Sequence, residues 1–173
     1  MRLGHAPYLR SLMNESANQR PIATCAPSTT VAAMAAFGTG TCPGLTAMAG
    51  YTQLEPASHK LIQLIQFKDA LAPKPANPHI PVPPMVDPLD LQREETVFEK
   101  LAAQEVRVTS SGLPKFSKSP LTEAALRGTD YQGNVTPRDR VLAAARASRT
   151  PGLTYLYTVS YTHLRAHETP EHL

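Results

Sequence analysis

The clearest hydrophobic pattern in the chain lies between residues 58 and 72. Apolar side chains recur there at helical spacing, with polar side chains around the other side, and Ser58 after Pro56 is an N-cap. This pattern predicts an amphipathic helix over residues 58–72. Its apolar face would pack on a core or on a partner protein, and the candidate contact residues are Leu61, Ile62, Ile65 and Phe67.

Capping signals predict a small helical segment over residues 87–150. Asp87 followed by Pro88 is an N-cap with proline at the first helical position, and Ser119-Pro120 and Thr136-Pro137 repeat the device. Residues 106–109 read as a short strand that Ser111-Gly112 ends, and residues 128–134 read as a turn-rich connection.

The remaining segments show little periodicity. Residues 1–57 read as loop or disorder, apart from a helical turn or two over 31–37, capped within 28–30 and stopped by Gly38. Proline-rich residues 73–86 form a semi-rigid linker, and residues 151–173 a disordered tail. The expected fold is therefore mainly α: short helices with extensive loop or disorder around a Pro-rich linker, in a truncated fragment.

Charge changes this picture little. Seventeen basic and fourteen acidic residues give a net charge of +3, too slight to indicate a nucleic-acid partner by itself. Basic side chains do concentrate between residues 107 and 149, where a solvated helix face is the simpler interpretation. If these side chains do bind nucleic acid, the candidates are Lys115, Lys118, Arg138, Arg146 and Arg149.

No membrane segment or secretion signal is predicted. Residues 21–54 carry no charge, but they are rich in Ala, Thr, Gly and Pro rather than in large apolar residues. A cytoplasmic location is favoured, and no membrane partner is expected. Cys25 and Cys42 are seventeen residues apart, which leaves a disulfide between them an open question.

Candidate chemistry is concentrated in the last fifteen residues. His163 and His167 have the i, i+4 spacing of helical metal ligands, with Glu168 and His172 nearby. Pro170 would break the helix before His172, and the order is not that of an HExxH motif. We therefore predict that these histidines and Glu168 do not form a metal site. No catalytic residue and no cofactor are expected elsewhere, since neither cysteine has a protease-like flanking signature.

Residues 159–169, VSYTHLRAHET, resemble residue for residue the translation of a transposon-end sequencing adapter. The resemblance implies that Pro170 and Glu171 come from a sample barcode and His172 and Leu173 from the constant sequence behind it. It implies a metagenomic or shotgun read whose residues 159–173 were never selected to fold. No protein family is recognised for residues 1–158.

These observations lead to three functional hypotheses. The first is a non-enzymatic binding or scaffolding protein that uses the apolar helix as its contact surface for a protein partner. The second is contact with nucleic acid or another polyanion through the basic helices. The third is a spurious or truncated reading frame without function.

Overall fold

The computed structural model describes residues 7–158 except 18, 21, 74–76 and 78–81. Of these residues 37% are helical and 16% lie in strands, in two separate sheets. The prediction of a mainly α fold is therefore wrong, because the described chain mixes helices with both antiparallel and parallel strands. The helices are α1 (Pro7–Glu15), α2 (Thr30–Thr39), α3 (Pro43–Thr46), α4 (Pro88–Leu91), α5 (Val97–Ala102), α6 (Pro120–Ala125) and α7 (Pro137–Ala147). The strands are β1 (Thr52–Glu55), β2 (Lys60–Gln63), β3 (Lys68–Asp69), β4 (Val108–Gly112), β5 (Asp130–Gly133) and β6 (Leu153–Leu156).

The parallel sheet forms the centre of the C-terminal half. Strand β4 lies between β5 and β6 and pairs in parallel with both. All five residues of β4 are buried, as expected for a strand covered on both faces. The strand runs through Gly112, which was predicted to break it, because Gly112 pairs with Gly133 of β5. The Tyr131 hydroxyl group occupies the space that a side chain would take at that glycine.

Strands β5 and β6 fall in segments that were expected to be irregular. The sequence predicts a turn-rich connection over residues 128–134 and a disordered tail over residues 151–173. Both strands are only four residues long and contain polar or exposed positions, so neither shows a clear two-residue period. Each is stabilised by pairing with β4, a partner distant in the sequence.

The predicted helix starts at Ser119 and Thr136 are confirmed. Ser119 Oγ accepts a hydrogen bond from Thr122 N at the start of α6, and Thr136 Oγ1 accepts one from Asp139 N at the start of α7. Asp87 caps the four-residue helix α4 in the same way. A second cap at Thr96, with Glu99 closing a capping box, then begins α5.

Helix α2 provides much of the core in a region expected to be loop. The predicted helical turn over 31–37 is present, but α2 extends over ten residues, from the Thr29 N-cap to Gly40 at φ 71°. Val31 and Ala35 are fully buried against other elements. Gly38 lies so close to Ala125 of α6 that a methyl group would overlap the Ala125 carbonyl oxygen.

The amphipathic helix predicted for residues 58–72 is not formed. Strands β1, β2 and β3 make an antiparallel sheet there instead, with Leu54 opposite Leu61 in the register. Glu55 accepts hydrogen bonds from Ala57 N and Ser58 N in the first turn. Two residues, His59 and Phe67, have φ of 53°, which a right-handed helix does not permit.

The four candidate contact residues of that predicted helix accordingly do not share one exposed face. Ile62 and Phe67 are core residues, 1% and 0% exposed, and Ile65 is half-buried. Leu61 is 38% exposed. The apolar residues of this segment contribute Ile62, Leu64 and Phe67 to the buried core. The prediction of a contact surface on an exposed helix is therefore wrong.

Three smaller predictions concern the linker, the cysteines and the membrane. Residues 74–76 and 78–81 of the Pro-rich linker lie outside the described residues, while Met85 N donates to Phe67 O at its end. Cys25 and Cys42 are free thiols. Within the described residues, every helix is too short or too polar to cross a bilayer.

Candidate functional site

A cavity of about 490 Å³ lies over the carboxyl half of the parallel sheet. Its lining residues come from α2 and α6, from strands β4, β5 and β6, from the β2–β3 turn and from the segments that follow β4 and β6. Open parallel sheets commonly bind ligands at the carboxyl ends of their strands. The described lining residues are Thr30, Met34, Ile65, Gln66, Ser110, Ser111, Lys115, Phe116, Ser119, Leu121, Thr122, Leu126, Tyr131, Tyr155 and Tyr157.

Thr30 is the first residue of α2, is exposed, and is one of the residues that line this cavity. The preceding Thr29 supplies the cap, since its Oγ1 accepts from Ala32 N at 3.2 Å. The N–H groups of Thr30 and Val31 belong to the first turn, where helices have no intrahelical acceptors. Thr30 therefore combines a hydroxyl group with a local environment that favours negative charge.

The other serine and threonine side chains of the lining are already hydrogen-bonded within the protein. Ser110 Oγ lies 2.8 Å from Thr129 Oγ1, and Ser111 Oγ donates to the Arg140 carbonyl oxygen at 3.0 Å. Ser119 Oγ and Thr122 Oγ1 bond each other at 2.9 Å at the start of α6.

Thr30 differs from them. Within the described part of the chain its hydroxyl group makes no such bond. Among the described serine and threonine residues of the lining, Thr30 is therefore the one that a ligand reaches without displacing a protein partner.

Aromatic rings form the wall of the cavity next to β6. Phe116 and Tyr157 meet edge to face with centroids 6.2 Å apart, and Tyr155 and Tyr157 stack at 6.3 Å. Burial raises the pKa of Tyr155 to about 12, and the neighbouring phenols of Tyr157 and Tyr131 add to the shift. Burial also raises the pKa of Tyr131, although Arg140 opposes the change. Tyr155 and Tyr131 therefore stay neutral at physiological pH and contribute uncharged aromatic rings to the cavity.

Lys115 is the one charged side chain among the described lining residues. It lies in the 3₁₀ turn Pro114–Phe116, and its Nζ is 5.0 Å from the centre of the Phe116 ring. The described residues hold no group of three His, Cys, Asp or Glu side chains that could bind a metal ion. The tail residues His163, His167, Glu168 and His172 lie outside the described residues.

A cavity at the carboxyl ends of parallel strands, with a hydroxyl group at a helix N-terminus and a lysine, is typical of α/β enzymes that act on anionic substrates. The family model for type I phosphodiesterases and nucleotide pyrophosphatases matches residues 1–165. The chain belongs to this family. No curated protein and no solved structure matches the chain.

This membership corrects the functional hypotheses drawn from the sequence. The family consists of hydrolytic enzymes, so the prediction of a non-enzymatic scaffold is wrong, and so is that of a spurious product. The statement that residues 1–158 have no recognisable family is also wrong. Because the match continues through residue 165, the interpretation of residues 159–173 as translated adapter is overturned with it.

The five nucleic-acid candidates occupy exposed positions but do not form one site. Lys115 lines the cavity, whereas Lys118, which is also exposed, is not among the lining residues. Arg138, Arg146 and Arg149 are exposed on or just after α7. Contact between these side chains and nucleic acid stays a prediction.

Sequence reasoning missed the residue that is most prominent in the cavity. The sequence pattern indicates only that Thr30 belongs to a helix cap, together with Ser28 and Thr29. The available signal was the pair of adjacent threonines, since a single cap needs only one hydroxyl group. The meeting of α2 with β4 and α6 depends on contacts between distant segments, which no local pattern predicts.

Proposed function

We propose that this protein hydrolyses phosphodiester or pyrophosphate bonds of nucleotide-like substrates in the cavity between α2, α6 and the parallel sheet. Family membership supports the reaction class. The observation that carries the assignment of the site is the position of Thr30, an exposed hydroxyl-bearing residue at the N-terminus of α2 that lines the cavity.

In this proposal Thr30 is the nucleophile. Its Oγ forms a bond to phosphorus, the ester oxygen on the opposite side leaves with its bonding electron pair, and the Thr30 proton passes to water. Water then attacks the phosphoryl–Thr30 ester and restores the hydroxyl group. The first-turn N–H groups of α2 favour the negative charge on the non-bridging oxygens throughout.

The aromatic wall supports a substrate that carries a nucleobase. Phe116, Tyr155 and Tyr157 contribute aromatic rings to the cavity lining, and stacking on such rings contributes about 1–3 kcal/mol per base. A nucleotide also supplies the anionic phosphate that α2 and Lys115 favour. The family description names nucleotide pyrophosphatases, which agrees with this choice of substrate.

Steady-state kinetics with the full chain test the proposal. Thr30→Ala removes the attacking oxygen and should lower kcat for a chromogenic phosphodiester by about 10³-fold or more, whereas Thr30→Ser should retain part of the activity. Thr24→Ala is a matched control, since Thr24 is an exposed threonine outside the described lining. Wild-type activity in the Thr30→Ala variant would refute the assignment.

A further inference from the structure

Lys115 is held at the cavity by its neighbours rather than by an ion pair. Pro114 begins its 3₁₀ turn, and the turn packs against β5, where Gly133 leaves room for Pro114 Cα, only 2.9 Å from the position a Cβ would take. Tyr131 Oη donates to the Leu113 carbonyl oxygen at 2.8 Å directly before the turn. These contacts fix where the Lys115 side chain starts.

The Lys115 ammonium group has no carboxylate neighbour in the described structure. Within those residues the ion pairs are Lys60–Asp69 and Arg127–Glu99, and no Asp or Glu is among the described residues that line the cavity. The Lys115 ammonium group lies over the Phe116 ring, a contact that stabilises a cation without neutralising it. A positive charge at an otherwise uncharged cavity attracts anions and discriminates among them by charge.

We propose that Lys115 is the specificity-determining residue for substrate charge: it binds a second anionic group, beyond the phosphate that reacts, and so favours nucleoside polyphosphates and pyrophosphates over singly charged phosphodiesters. This inference rests on the function proposed above. Thr30 meets the reacting phosphate from α2, and Lys115 meets the further phosphate from the loop after β4. The Phe116 ring lies 5.0 Å from the ammonium group and itself lines the cavity.

The test compares two substrates and three variants. A nucleoside triphosphate and bis(4-nitrophenyl) phosphate, a diester with one charge, are assayed with wild type, Lys115→Met, Lys115→Arg and Lys118→Met. Methionine keeps the stem over Phe116 without the charge. The kcat/KM ratio of triphosphate to diester should fall about 10- to 100-fold in Lys115→Met, mostly through KM, and should recover in Lys115→Arg.

Lys118→Met removes the same charge three residues further along the chain, outside the described lining, and should leave the ratio as in wild type. An unchanged ratio in Lys115→Met, or an equal fall for both substrates, would overturn the proposal. Rising salt should lower the wild-type ratio and leave that of Lys115→Met nearly constant.

Failure of the proposed function would look different. If wild type hydrolysed neither substrate, the reaction assigned to the cavity would be wrong. Calorimetric binding of inorganic pyrophosphate would then decide the role of Lys115: a Kd about tenfold weaker in Lys115→Met than in Lys118→Met supports charge recognition, and equal affinities refute it.

Discussion

The close approach of α2 to α6 at Gly38 gives a specific prediction about how the site is positioned. A Cβ at Gly38 would overlap the carbonyl oxygen of Ala125 and lie 2.9 Å from its carbonyl carbon. These are backbone atoms, so no flexible side chain can move aside. Gly38→Ala should therefore push apart the two helices that line the cavity.

The expected cost follows from two opposing terms. Relieving the overlap requires a separation of roughly 1.5 Å, and overpacking of this kind costs about 1–3 kcal/mol, with the upper end expected where backbone must move. Alanine recovers about 1 kcal/mol of helix propensity. The net loss should be about 2 kcal/mol, or a fall in Tm of roughly 4–8 °C for a protein of this length.

Thermal unfolding followed by circular dichroism measures this loss, with Gly44→Ala as the matched control. A Cβ at Gly44 of α3 meets only Cys42 Sγ, at 4.0 Å, so the same substitution should leave Tm unchanged or slightly higher. Since α2 moves as a unit, Gly38→Ala should also displace Thr30 and lower kcat/KM about 10- to 100-fold. A Tm at or above that of wild type in Gly38→Ala would refute the packing argument.

Three further predictions concern the core and the aromatic wall. Arg127→Met should lower the free energy of unfolding, measured by urea titration, by about 2–4 kcal/mol. Arg127 donates hydrogen bonds to Glu99 Oε1 at 2.9 Å and to the carbonyl oxygens of Glu94 and Ala124 at 2.6 and 2.9 Å. A loss below about 1 kcal/mol would contradict that role. Phe67→Ala should lower the free energy of unfolding by about 3–5 kcal/mol in the same assay, because Phe67 is fully buried. If Phe67 lay on an exposed helix, the same substitution would change the free energy of unfolding very little. Tyr155, with a pKa raised to about 12, should ionise well above pH 10, the ordinary value for a phenol, in an ultraviolet titration. Because the unfolded state releases this proton near pH 10 and the folded state does not, stability should fall between pH 10 and 12, and Tyr155→Phe should reduce that fall.

Local signals predicted the helix starts well because each depends on a few adjacent residues. Ser119 and Thr136 both cap helices whose first residue is proline, as their sequences indicate. The single helix expected after Asp87 instead divides at Gln92. That side chain is fully buried, and its amide group donates to Ala124 O at 2.6 Å, a contact between segments far apart in sequence.

The hairpin shows where a periodic pattern is ambiguous. Apolar residues at 61, 62, 64, 65 and 67 satisfy a helical spacing, yet Ile62 and Leu64 also alternate as strand residues do. The turns between the strands determine that sheet forms rather than helix. In the β1–β2 turn the Glu55 carboxylate accepts a hydrogen bond from Ala57 N, and in the β2–β3 turn Phe67 has a left-handed backbone conformation. Neither feature is evident from hydrophobic periodicity.

The cavity was the part least accessible from sequence. Its hydroxyl groups and rings come from α2, β4, α6, β5 and β6, and two of these strands are too short to recognise before they pair. The sequence shows that Lys115 is basic. That it lies over Phe116, in a cavity whose described lining contains no carboxylate, is evident only from the folded chain.

Trapping the covalent intermediate tests the central claim most directly. The full chain is mixed with a nucleotide phosphodiester, quenched in acid within the first turnover, digested, and examined by peptide mass spectrometry. Thr30 should carry the mass of the nucleotidyl group, and the modification should be absent from Thr30→Ala. A wild-type enzyme that turns over substrate but carries the adduct on Ser119, on Thr122 or on no residue would contradict the assignment of Thr30.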